Sequence, residues 1–491
     1  MKSRTLKQDF ERRKKWINHR SSTIYPINIK NNSDFLLLFL NYWKLKNKIN
    51  KLRCNLKFFN EEGNIIKFYK YKIKTHNEIY ISKILPENYF SGMLEVEFIS
   101  PENLGYPFPG ISGFYVSPQK LISGVHAAGR ILNSNEKKNN KIHSLESNFS
   151  LKYVKNKTVP FVSLFNSKKR KRSNPIILEL KNSVNKTIKK KLILNELKKP
   201  FSNKIFYLDD YFKNLDLLKS NYCVVKTNNV DVIPRMICGN YHKDYHHYEV
   251  THSYPVQENK KDIIDNKHLN KNNVEHMSFL PFLKSKNTNL KLRIFPTNLN
   301  AVLRAKLFVF DKKNKKLKRK KNIFLYPGKK MFELNLKNKN DEFGCISLKQ
   351  KNVPSRINTS YIYYNNNKFG TSTDTALGFK SIDYPLKKTH WGSFIASSQI
   401  KSEILIRRIN HLKTLKKAKG TIIFYGKNFK KEIKMTLLPT DFKIIFPNKI
   451  IKKLSKKINT YSWIAKFENG SGIEIFWNSY SNNFITGDHS F

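Results

Sequence analysis

The densest run of titratable side chains lies at Asn240–Tyr254, NYHKDYHHYEVTHSY. Imidazole and carboxylate groups are ordinary ligands of zinc and other divalent metals, and an open coordination position makes such an ion hydrolytic. If Lys243 and Asp244 form a two-residue turn, Tyr245, His247, Glu249 and Thr251 share one face of the outgoing strand. His246, Tyr248, Val250 and His252 then share the other face. The His247/Glu249 face meets His242 or Asn240 across the hairpin, so a divalent metal held by His242, His247, Glu249 and His252 is the first chemical candidate. Neither an HExxH nor an HxxEH spacing is present, and strand ligands need a further residue from elsewhere in the chain. The plainer reading is an edge hairpin that carries His and Tyr for their polarity. No catalytic residue is assigned, because nothing resembles a P-loop, a GxGxxG after a strand, a nucleophile elbow or a kinase signature.

The hairpin that carries these residues recurs. Ser112–Gly129 reads SGFYVSPQKLISGVHAAG, Thr359–Ala376 reads TSYIYYNNNKFGTSTDTA and Glu474–Phe491 reads EIFWNSYSNNFITGDHSF. In each copy an aromatic strand leads through a turn into a strand of small or polar residues that ends at His126, His252, Asp374 or His489. Those four repeat-equivalent strand-end positions can meet only if the modules pack around an axis or stack with the same edges inward. Otherwise an imidazole at a strand end donates to a neighbouring module's backbone and fixes an inter-domain angle. The aromatic strand and the turn asparagines, present in every copy, read as sheet and turn chemistry.

Outside the hairpins, short runs of alternating apolar and polar residues fill the chain, bounded by Asn, Gly, Lys and Pro turns. One buried face per strand requires a second sheet to cover it. The expectation is an all-β chain, a tandem array of four antiparallel immunoglobulin-like β-sandwich modules of about seven strands each. The expected division is a basic arm (1–34), module 1 (35–130), a linker (131–158) and module 2 (159–256). A linker (257–286), module 3 (287–379), a linker (380–400) and module 4 (401–491) complete it. The linkers are rich in Asn and Lys.

The chain has 491 residues, too many for one core. Its formal charge is +57, and its pI is near 10.0. That balance invites an anionic partner, either a polysaccharide or its precursor or nucleic acid. The inflated Lys, Asn, Ile, Phe and Tyr content also fits an AT-rich coding bias, which would leave the charge without a partner. The anion-binding candidates are two basic clusters expected in loops, Lys168, Lys169, Arg170, Lys171 and Arg172, and Lys318, Arg319, Lys320 and Lys321. Four cysteines without a CxxC pair give no structural zinc spacing and read as small core residues. The N-terminus is charged throughout, and no run approaches the roughly 20 apolar residues of a membrane span, so a cytoplasmic location is expected. The reading that follows is a non-catalytic, multi-module binding or assembly protein. Its rivals are a metal-dependent enzyme centred on the histidine hairpin and a purely structural scaffold.

Overall fold

The computed structural model describes residues 4–5, 17–30, 32–85, 89–127, 129–133, 136, 145–166, 175–227, 232–233, 235–255, 263–265, 278–284, 289–296, 302–311, 313, 316–326, 328, 330–336, 342–348, 352–354, 356–364, 372–378, 389–408, 417–438, 441–451, 454, 456–468, 473–481 and 484–491. Almost all of the regular structure among them is antiparallel strand, arranged as a sandwich array. The chain forms two compact units, Ile17–Val256 and Gln257–Phe491 with Met1–Trp16.

In the first unit, module 1 contributes β1 (Arg20–Ile29), β2 (Asp34–Leu40), β3 (Arg53–Asn60), β4 (Ile65–Tyr71), β5 (His76–Tyr80), β6 (Phe90–Ile99), β7 (Ser112–Val116) and β8 (Ile122–His126). They form two four-stranded sheets, in the orders β1-β6-β3-β4 and β5-β2-β7-β8. Module 2 repeats the scheme with β9 (Leu145–Ser150), β10 (Thr158–Phe165), β11 (Ile176–Lys181), β12 (Thr187–Ile193), β13 (Asn203–Tyr207), β14 (Tyr222–Thr227), β15 (Ile237–His242) and β16 (His247–His252). Its sheets run β9-β14-β11-β12, with Tyr254–Pro255 added beyond β9, and β13-β10-β15-β16.

The second unit holds two further copies of the topology. Module 3 has β17 (Ser278–Lys284), β18 (Asn289–Ile294), β19 (Leu303–Asp311), β20 (Leu317–Leu325), β21 (Phe332–Leu336), β22 (Glu342–Leu348), β23 (Arg356–Tyr364) and β24 (Ser372–Gly378). Module 4 has β25 (Thr389–Ala396), β26 (Ile400–Arg408), β27 (Ala418–Gly426), β28 (Phe429–Leu437), β29 (Phe442–Ile445), β30 (Asn459–Glu468), β31 (Ile473–Ser481) and β32 (Phe484–His489). The sheet orders are those of module 1 with every strand number raised by sixteen or twenty-four.

Each module thus has eight strands where about seven were expected. The added strand is the first of each copy. β1 falls in the stretch read as a basic arm, and β9, β17 and β25 fall in stretches read as linkers. All four lie at or near the outside of their sheets, paired to the sixth strand of their module. An outer strand tolerates Pro26 or Pro281 because a missing N–H there need not break the ladder. In a standard immunoglobulin constant domain the last strand, not the first, flanks the sixth. The likeness therefore extends only to two antiparallel sheets packed face to face.

Alternation explains the cores. In module 2, Phe149, Leu178, Leu180, Cys223 and Val225 from one sheet meet Val162, Leu164, Phe206 and Cys238 from the other. Cys223 and Cys238 both enter this core as thiols, and burial pushes the Cys223 thiol up, which keeps it protonated. A second apolar cluster, Ile24, Phe59, Met93, Ile131 and Phe165, joins modules 1 and 2. The turn between β3 and β4 completes that junction. Asn203 donates from its backbone N–H to the Glu61 carbonyl at 3.0 Å and from Nδ2 to the Asn60 carbonyl at 2.8 Å. Gly63 in this turn has φ +90°, and a Cβ there would lie 2.1 Å from the Pro200 carbonyl oxygen. Only glycine fits both requirements. Modules 3 and 4 are joined in the same manner by Phe343, Leu405 and Phe442.

Candidate functional site

The histidine hairpin of module 2 is β15 and β16. Its connection is two residues longer than the two-residue turn expected: Lys243–Tyr245 form a single 3-10 turn, and His246 follows in the left-handed region at φ 46°. The register pairs His242 with His247, Asn240 with Glu249 and Cys238 with Thr251. Cross-strand partners share a face. His242, His247, Glu249 and Asn240 therefore lie on the face that carries Cys238 into the core, and they form its polar end.

His242, His247 and Glu249 are 1% exposed or less. His242 Nε2 lies 2.7 Å from Glu249 Oε2, and its Nδ1 lies 3.2 Å from the Thr158 hydroxyl. With the Glu249 oxygen as acceptor, Nε2 donates to it and Nδ1 accepts from the Thr158 hydroxyl. Lys152, in the segment after β9, brings Nζ to 4.0 Å from the same Glu249 oxygen, and its backbone N–H donates to Asn240 Oδ1 at 3.3 Å. Burial pulls the Lys152 ammonium down, with Glu249 opposing. Burial likewise holds His242 below its ordinary value against the pull of Glu249, and it holds His247 well below, with His242 adding to the effect. Both imidazoles are thus neutral at pH 7. Glu249 Oε1 and Asn240 Nδ2, both buried, make no hydrogen bond among the described residues.

The metal reading needs correction on two counts. His252 lies on the opposite face of β16, paired in register with Ile237, and cannot join His242 and Glu249. The other three do not bring three ligand atoms within 4.8 Å of one another, and the His242 and His247 rings stand 6.1 Å apart, centroid to centroid. Metal–ligand bonds of roughly 2 Å demand closer convergence. What the residues form instead is a hydrogen-bonded chain, Thr158–His242–Glu249, neutralised by Lys152. It satisfies polar groups at the end of a core. Lys152 and Thr158 carry no sequence signal, since they reach the hairpin from 84 or more positions away.

The strand-end histidines behave differently. His126 and His252 are brought together, with ring centroids 4.3 Å apart and the rings nearly perpendicular. β8 packs against β16, and the Val250 backbone N–H donates to Ser123 Oγ at 2.9 Å. Here module 1 satisfies part of the rim of module 2's last strand. In the second unit β24, which carries Asp374 opposite Ser360, packs against β32, which carries His489. His489 Nδ1 lies 2.8 Å from the Ser490 carbonyl. Within each unit the last strands of its two modules lie together.

Of the anion-binding candidates, Lys168, Lys169, Arg170, Lys171 and Arg172 lie outside the described residues. Lys318, Arg319, Lys320 and Lys321 are not in a loop. They occupy β20, at the edge of its sheet. That position is shared, since β4 (IIKFYKY), β12 (TIKKKLI) and β28 (FKKEIKMTL) hold the same edge in their modules. Their lysines are exposed in every copy. A strand at this edge is exposed on both faces over most of its length and needs few inward apolar residues, so a basic run there resembles a loop.

No family model and no curated protein matches this chain. Among solved structures, a calcium-binding mutant of Bacteroides uniformis beta-glucuronidase 2 aligns at 10% identity over 56% of this chain and 30% of that one, with a TM-score of 0.13. A beta-glucuronidase from glycoside hydrolase family 2 aligns at 10% identity over 75% of this chain and 31% of that one, with a TM-score of 0.11. The chain spans about a third of the length of these proteins. Scores at this level support no transfer of activity. Among the described residues, no helix is long and apolar enough to cross a membrane.

Proposed function

We propose that this chain is a non-catalytic binding or assembly protein whose modules present basic edge strands to an anionic polymer. The observation that carries the reading is the recurrence of exposed lysines on β4, β12, β20 and β28, at one topological position in four sandwiches. Edge lysines also deter unwanted strand pairing. A single charge already serves that role, whereas β4 carries two lysines, β12 and β28 three each and β20 four basic residues. Several weak sites on one chain combine by avidity. The buried hairpin cluster supplies the stability of module 2 in this reading and touches no partner.

The test is retention on immobilised heparin and on duplex DNA at several salt concentrations. The proposal expects retention that weakens steeply as salt rises, by about 10³-fold in affinity between 50 and 200 mM if six or more charges are engaged. Passage of the folded protein through both columns at low salt leaves the +57 charge as a property of composition alone and overturns it.

A further inference from the structure

One of the four edges differs from the rest. In β4, Ile65 is 58% exposed, Ile66 47%, Phe68 47% and Tyr69 40%. An edge built only to stay soluble would not expose four large apolar side chains within five residues. Cross-strand register puts Lys67 and Tyr69 on the face of Phe58 and Leu56, and puts Phe68 and Lys70 on the face of Lys57 and Asn55. Each face of the edge therefore offers one exposed aromatic ring and one ammonium group. Among the described residues β4 has a single strand neighbour, β3, and Lys67 and Lys70 have no carboxylate within ion-pair distance. The other edges are partly neutralised, by Glu179 near Lys190, by Asp311 and Glu342 near Lys318 and Arg319, and by Glu432 within β28 itself. The turn before β4 is held by Gly63 and Asn203, so the edge is fixed in place while its rim stays open.

We infer that β4 docks an extended acidic polypeptide segment, which adds to the β1-β6-β3-β4 sheet as a further strand. This rests on the anionic-partner reading above and names the partner's class. A strand laid along the rim would take the outward N–H and C=O groups of β4 and place alternate side chains over both faces. Its acidic residues would meet Lys67 and Lys70, and its apolar residues would cover Phe68 and Tyr69. A flat lipid surface would engage only one of the two faces. A second copy of this chain would bring another +57 of like charge. A polyanion such as heparin would use the lysines and leave Ile65 and Ile66 bare.

The experiment uses the full chain and a fluorescent ten-residue peptide alternating Glu with Val and Tyr. Controls are the same peptide N-methylated at alternate residues, which cannot complete a ladder, and heparin. The inference expects binding of the first peptide, at least a tenfold loss on N-methylation, and at least a tenfold loss in Lys67→Glu/Lys70→Glu. It also expects slowed amide exchange across 65–71 with peptide bound. Unchanged melting of the variant confirms that the loss is local. If the N-methylated peptide binds equally well, or if heparin binds while the peptide does not, strand addition is wrong and the anionic-partner reading stands. If neither peptide nor heparin binds, both fall.

Discussion

Replacing Glu249 by alanine is the sharpest test of how the module 2 core is held. The carboxylate accepts from His242 Nε2 at 2.7 Å and faces the Lys152 ammonium at 4.0 Å, all in buried surroundings. A hydrogen bond to a charged group contributes about 1.5–3 kcal/mol, and breaking a buried pair by removing one partner costs about 3–5 kcal/mol. The two terms share the same oxygen and do not add, so the expected loss is about 3–5 kcal/mol. In a unit of this size, each kcal/mol moves the midpoint by about 2–4 °C. Calorimetry should therefore show one transition falling by about 6–20 °C. Glu249→Gln keeps an acceptor for His242 and should cost less. Lys152→Met added to Glu249→Ala should recover part of the loss, because no orphaned ammonium remains. A loss below about 1 kcal/mol for Glu249→Ala, the size of an ordinary substitution, would refute the organising role given to this cluster. Below its melting point the variant should keep wild-type retention on heparin.

Four further outcomes follow from the geometry. Burial pushes His76 down to about 4 from an ordinary value near 6.5, so the unfolded chain takes up a proton before the folded one does. Stability should then fall as pH drops from about 6.5 towards 4, by about 3 kcal/mol for this group, and urea midpoints of His76→Gln should depend less on pH over that window. Gly63→Ala should loosen the junction of modules 1 and 2, seen as faster amide exchange near 199–203, because its Cβ collides with the Pro200 carbonyl at a positive φ. Arg20 binds Glu95 and Glu97 at 2.6 Å each, so Arg20→Ala should destabilise the first unit by about 3–5 kcal/mol, and Lys should substitute poorly for the guanidinium fork. Cys54, Cys223 and Cys238 are buried thiols that should resist a thiol reagent until the chain is denatured.

Much of this fold is legible in the sequence, because period-2 alternation states which residues face inward. The two faces of β16 follow from that rule alone, and His247, Glu249 and Thr251 do share the inner one. The first strand of each module escapes notice for a physical reason. β1 is buried along most of its length, but what it buries includes Ser21, Ser22 and Thr23, so RSSTIYPINI lacks the run of Val, Ile and Leu that marks an inner strand. Lys318, Arg319, Lys320 and Lys321 escape for a different reason, since a strand exposed on both faces has no alternation to read. Thr158 and Lys152 are brought to Glu249 only by sheet pairing and by the segment after β9. Local spacing holds no trace of either contact.

Whether the repeated basic edges bind an anionic polymer decides the function of this chain. The direct measurement is the affinity of the folded full-length chain for heparin, titrated across salt concentration, for wild type and for a variant with Lys67, Lys70, Lys189, Lys191, Lys320, Lys321, Lys430 and Lys431 changed to Gln. Binding that falls steeply with salt in the wild type, with a clearly shallower slope in the variant, is the predicted result. Equal slopes and equal affinities in the two proteins would contradict it.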